Sequence, residues 1–147
     1  MAKSEKQKLK LLYIMQCLMK KTDEEHAVTT QEIIDYLALQ GITAERKSIY
    51  TDIELLIDFG MDIIKKPGRS GGYTLASRQF ELAELKLLVD AVQSSKFITT
   101  KKSRDLIGKL ETLCSKYEAG QLHRQVVVTN RNKTVNENIY YNVDIIY

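Results

Sequence analysis

A T-x-x-E start signal at Thr29 and Glu32, a second helix that stops at Gly60 after a tight turn, and a basic hairpin turn over residues 66–72 together predict a mainly α fold with a small β-hairpin wing. In that order they make a winged helix-turn-helix, and the remainder reads as a helical segment, an αα-hairpin. Three regions follow: a winged helix-turn-helix over 1–78 that points to DNA, a helical segment over 79–119 suited to dimerisation, and a tail over 120–147 that reads as the start of a further, truncated domain.

Residues 5–21 open the fold. Leu9, Leu12, Tyr13, Met15, Leu18 and Met19 recur there at helical spacing, as expected of the supporting helix of a three-helix core. The second helix, residues 30–39, starts from a capping box in which the Thr29 hydroxyl takes the Glu32 amide and Glu32 reaches back. Ile33, Ile34, Leu37 and Ala38 share one face, and Gly41 supplies a left-handed C-terminal cap.

The third helix is expected over residues 44–59, with Thr43 as its N-cap. At about 100° per residue, Ile49, Ile53, Leu56 and Ile57 fall on the core face, and Lys47, Thr51, Glu54 and Asp58 on the opposite one. Arg46, Lys47, Ser48, Tyr50 and Thr51 occupy the first two turns, with the carboxylates further on. A helix entering a major groove by its N-terminal end needs that polarity, because a carboxylate beside phosphate is repelled. The alternative is an ordinary amphipathic helix with a solvated charged face.

The wing follows at once. Residues 61–65 alternate apolar and polar, Lys66-Pro67-Gly68-Arg69-Ser70-Gly71-Gly72 supplies the turn, and Tyr73-Thr74-Leu75 returns. The chain's only proline and three of its seven glycines lie in this turn. Lys65, Lys66 and Arg69 are placed to press on phosphates or to enter a minor groove. A lysine-rich tip also protects an edge strand from aggregation, which is the competing reading.

Ser48-Ile49-Tyr50-Thr51-Asp52-Ile53-Glu54-Leu55-Leu56, then Gly60-Met61, then Gly71-Gly72-Tyr73-Thr74-Leu75, resembles the N-terminal DNA-binding part of bacterial WYL-domain transcriptional regulators. The resemblance spans about residues 6–75. Arginine is common in that family after the tyrosine, whereas this chain has Thr51, so sequence preference does not carry over from relatives.

Charge must be weighed locally. The whole chain is only +3, and residues 1–78, with 12 Lys+Arg and 11 Asp+Glu, carry a net +1. Lys3, Lys6, Lys8 and Lys10 precede or open the first helix, while Arg46, Lys47, Lys65, Lys66 and Arg69 group on helix and wing. The acids Asp23, Glu24 and Glu25 are expected on another side. Moderate, salt-sensitive affinity per protomer follows, and two half-sites would multiply it.

Over residues 80–95, Leu82, Leu85, Val89 and Val92 recur at seam-like spacing. Leu106, Leu110, Leu113 and Tyr117 do so in a second helix over 100–117, capped by Thr99 or Thr100. Leu87, Leu88, Ile107 and Cys114 widen the stripes beyond what one partner helix covers. Leu82, Leu85, Val89, Val92, Leu106, Leu110 and Leu113 are therefore read as holding a homodimer together, with intrachain packing on the winged domain as the alternative. The tail offers a β-prone run at 125–129, a polar loop at 130–133, and Ile139, Val143 and Ile146 at helical spacing. An uncapped apolar end at Tyr147 reads as cut within an element, where the resemblance implies a ligand-sensing WYL domain; the alternative is a short protein whose last helix docks on the core.

At 147 residues, 44% hydrophobic and 28% charged, the chain suits a small cytoplasmic protein. It carries no bilayer-length apolar run or signal-peptide pattern. Cys17 and Cys114 sit within helical patterns, as packed reduced thiols do, and His26 and His123 are isolated. No zinc spacing, nucleophile set or phosphate-cradling loop is found, so no enzyme activity, cofactor or metal is expected. The expected partner is double-stranded DNA, read as a homodimer without a membrane, and any effector would be held by a C-terminal domain. A winged-helix protein-interaction module is the alternative class, and RNA binding a third, without a visible stacking platform.

Overall fold

The computed structural model describes residues 3–68 and 71–128. Among these residues, six helices and one two-stranded hairpin run in the order α1 (Lys3–Lys21), α2 (Thr30–Leu39), α3 (Arg46–Phe59), β1 (Ile63–Lys66), β2 (Gly72–Leu75), α4 (Leu82–Ser94), α5 (Thr100–Glu111) and α6 (Lys116–Val128). They form two compact units that divide between Arg78 and Gln79. The fold is mainly helical with a small antiparallel hairpin.

In the first unit, α1, α2 and α3 enclose a core of fully buried Ile14, Cys17, Leu18, Ile33, Leu37, Ile49 and Ile53. The stripe read on α1 is partly corrected: Leu12 and Met19 are exposed, and Ile14 and Cys17 take the innermost places. Burial in that apolar setting pushes the Cys17 thiol up to about 11. Helix α2 starts with the expected reciprocal capping box between Thr29 and Glu32. Gly41, in the left-handed region at φ 77°, follows its end.

Helix α3 begins two residues later than its sequence suggests. Thr43 is not its cap: Glu45 is the N-cap, through its backbone carbonyl alone, accepting from the Ser48 and Ile49 amides. Residues 42–45 instead form an irregular link that buries Ile42 and brings Ala44 against the core. Gly60 stops the helix at φ 122°, a conformation that side chains with a Cβ rarely adopt.

Strands β1 and β2 pair Ile63 with Leu75 through Lys66 with Gly72. Val28, just ahead of α2, adds a one-residue bridge to Tyr73, with reciprocal N–H to carbonyl distances of 3.0 and 2.8 Å. Gly72 makes that approach possible, since a Cβ there would lie 2.1 Å from the Val28 carbonyl oxygen. The hairpin is also tied to α1. The buried Thr22 hydroxyl accepts from the Leu75 amide and donates to Leu18, and the Arg78 guanidinium caps the Leu18, Met19 and Thr22 carbonyls at the helix end.

The second unit departs further from its sequence reading. Residues 100–117 do not form one helix. Helix α5, capped by Thr99 on the Lys102 amide, ends at Glu111, and residues 112–115 turn the chain into α6, where the Ser115 hydroxyl accepts from the Glu118 amide. The β-prone run read at 125–129 is helical as far as it is described, as the last turn of α6. Leu122 at zero exposure and two side-chain bonds, Gln125 to the Lys86 carbonyl and Gln93 to the Val126 carbonyl, both 3.1 Å, hold α6 on α4 and override the β-branched preference of its valines. A boundary after residue 119 therefore falls inside a helix. The wide apolar stripes of α4 and α5 find their third partner here: Leu85, Val89, Ile107, Cys114 and Leu122 form one buried cluster, with Leu82, Val92, Leu110 and Leu113 packed against it. The expected loop at 130–133 and the spacing of Ile139, Val143 and Ile146 lie outside the described residues.

Candidate nucleic-acid interface

An open groove of about 440 Å³ lies on the first unit, between the start of α2, the first half of α3 and the wing. Arg46 and Tyr50, one turn apart on α3, form one wall, and Lys65, Lys66 and Tyr73 on the hairpin form the other. The floor at one end is Thr29, Thr30 and Gln31. Tyr50 is 47% exposed with its ring at the surface, and Arg46 reaches the Gln31 side-chain oxygen at 3.4 Å.

Four residues singled out from sequence, Arg46, Tyr50, Lys65 and Lys66, thus converge on one concave surface. Lys47 and Thr51 do not line it; both are exposed on the neighbouring strip of α3, with the Thr51 hydroxyl donating to the Lys47 carbonyl at 3.3 Å. A surface that has basic and aromatic groups in a concavity, flanked by a second exposed strip bearing Lys47 and Thr51, can take a phosphate chain in the first and base edges along the second. Arg69 lies outside the described residues.

Two expectations about this surface change. Ser48, grouped by sequence with Arg46, Lys47, Tyr50 and Thr51 on the partner-facing first turns, is already engaged within the fold: its hydroxyl accepts from Lys10 at 2.6 Å and donates to the Glu45 carbonyl. The acidic loop is not on another side, because the Lys66 ammonium donates to the Glu24 carbonyl at 3.1 Å. The wing charges are in fact partly engaged. Lys65 forms an ion pair with Glu54 of α3, and that hydrogen bond raises the lysine above its ordinary range, keeping it protonated. Sequence reasoning missed both the Val28 bridge and the contribution of residues 29–31; a single residue between two loops carries no strand periodicity, but the T-x-x-E signal at Thr29 did mark where α2 begins.

In the second unit, Leu85 and Val89 of the expected dimer seam are fully buried within their own unit, so they are not available to a second copy. Among the described residues, the large apolar side chains exposed there are Phe80, Leu87, Leu88, Phe97 and Tyr117. Among the described residues no group of three His, Cys, Asp or Glu side chains is placed to hold a metal ion, and no helix is long and apolar enough to cross a membrane. Cys17 and Cys114 are buried thiols. Comparison of the chain with protein-family models, with curated proteins and with solved structures finds no match.

Proposed function

We propose that this chain is the DNA-binding part of a cytoplasmic transcriptional regulator that recognises a specific duplex sequence. The observation that carries the reading is the convergence of Arg46 and Tyr50 on α3 with Lys65 and Lys66 on the wing about one open groove. In this reading the N-terminal half of α3 enters the major groove, with Lys47 and Thr51 at base edges. The adjoining phosphate chain follows the groove between α3 and the wing, and Arg69 extends the wing toward phosphate or minor groove.

The likeness of residues 48–56, 60–61 and 71–75 to WYL-type regulators supports the same reading, with an effector, if any, bound by a C-terminal domain. The protein acts by binding rather than catalysis, without a cofactor. A second copy of the chain is the expected partner, since one winged unit of low net charge holds a half-site weakly. Its contact would use exposed side chains such as Leu87 and Leu88 rather than Leu85 and Val89.

A salt titration of duplex binding tests the proposal. Affinity should fall steeply with salt, with a log–log slope of roughly 0.9 per phosphate contacted. A protein-interaction module would bind little duplex at any salt.

A further inference from the structure

Lys10 of α1 is 8% exposed, an unusual place for an ammonium group. Its Nζ lies 2.6 Å from the Ser48 hydroxyl and 2.7 Å from Asp52 Oδ2, both on α3, and the Asp52 side chain is itself only 14% exposed. Ser48 and Asp52 are four residues apart and so stand one above the other on a single strip of the helix. Burying a charge pair is costly, and apolar residues in place of both Lys10 and Asp52 would pack there without that cost. What the contacts supply that an apolar one does not is a fixed point, since the ammonium donates to the Ser48 hydroxyl while staying within ion-pair reach of Asp52 Oδ2, which has no hydrogen-bond partner among the described residues, one helical turn on.

That fixed point bears on the DNA-facing residues. Lys47 and Thr51 each precede one of Ser48 and Asp52 by one residue, and Arg46 and Tyr50 precede them by two. At about 100° per residue, any roll of α3 around its own axis turns both strips away from where they now point. Burial of Ile49, Ile53 and Leu56 sets which face of α3 points inward, and the attraction behind it is non-directional; the Lys10 contacts add fixed points that narrow the angle further. We propose that Lys10, through Ser48 and Asp52, is the positioning residue that fixes the roll of α3 and thereby the sequence discrimination of the protein, while contributing little to holding the unit together. The inference rests on the DNA-binding reading above.

The test uses the full chain carrying Lys10→Met together with Asp52→Leu, which removes both charges and leaves no orphan. Its melting temperature should equal or exceed that of the parent. Its preference for a duplex enriched from a random pool, over a scrambled duplex of the same length, should fall about tenfold, with affinity for the scrambled duplex and its salt slope unchanged. Residual dipolar couplings should report a changed orientation of α3 relative to α1. Ser48→Ala, which removes one acceptor and no charge, should lower the preference less and serves if the double variant does not fold. A folded double variant with the parental preference and the parental α1–α3 orientation overturns the inference. A parent protein that shows no duplex preference defeats the DNA-binding reading instead, and the couplings then decide the clamp by themselves.

Discussion

Leu85 is the most telling residue of the second unit. It is fully buried in the cluster shared by α4, α5 and α6, whereas Leu87, two positions on, is 70% exposed. Leu85→Ala deletes three carbons from that cluster, about 2.4 kcal/mol at roughly 0.8 kcal/mol per buried methylene. The cavity left behind brings the expected loss to about 3 kcal/mol, within the usual span for buried leucines. A unit of this size is stable by only about 3 to 10 kcal/mol, so the substitution removes a large share. Followed by circular dichroism in urea, the transition of this unit should move down by about 1 to 3 M, taking a denaturant slope of about 1 to 3 kcal/mol per M. Leu87→Ala should stay within about 0.5 kcal/mol of the parent. Packing of Leu85 inside its own unit is refuted if Leu87→Ala costs as much as Leu85→Ala, or if Leu85→Ala leaves the transition in place; either result would return Leu85 to an interface between copies.

Gly72→Ala should loosen the wing by about 1 to 3 kcal/mol, because its Cβ would meet the Val28 carbonyl at 2.1 Å; faster hydrogen exchange at the Val28 and Tyr73 amides is the readout, and unchanged exchange contradicts it. Replacing Lys65, Lys66 and Arg69 by alanine should weaken binding to every duplex alike and flatten the salt slope by about 0.9 for each phosphate no longer neutralised, whereas an unaltered slope leaves the wing as edge protection only. Cys17 should resist iodoacetamide at pH 8, where a thiol titrating at about 11 holds roughly one thiolate in a thousand. Because folding raises its pKa from 9.0, the neutral thiol contributes stability that is fully present below pH 9 and lost as pH rises from 9 through 11; the urea midpoint should fall across that window less in Cys17→Val than in the parent, and identical falls would contradict the burial argument.

The parts of the fold that were legible in sequence are those governed by local chemistry. The Thr29–Glu32 box, the Gly60 stop and the pairing of Lys66 with Gly72 that closes the hairpin each act within a few residues, and each is present in the structure. What escaped is set by contacts distant in sequence. Helix α6 was hidden because the valines at 126–128 prefer strands in isolation, and only the burial of Leu122 and the hydrogen bonds of Gln93 and Gln125 decide otherwise. Its start signal, Ser115 three residues ahead of Glu118, is as explicit as that of α2, but the apolar spacing of Leu110, Leu113 and Tyr117 runs straight through the break. At the groove, side-chain type marked Arg46, Tyr50, Lys65 and Lys66, while the engagement of Ser48 by Lys10, 38 residues away, left no local trace.

Selection from a random duplex pool, repeated with Lys47→Ala and Arg46→Ala, tests the central claim most directly. The parent protein should enrich one sequence; Lys47→Ala should lose about 1 to 3 kcal/mol of discrimination at a single position within it, and Arg46→Ala, facing the groove, should weaken all duplexes with the preference intact. A pool that emerges from the parent protein no different from the one that entered would contradict the account.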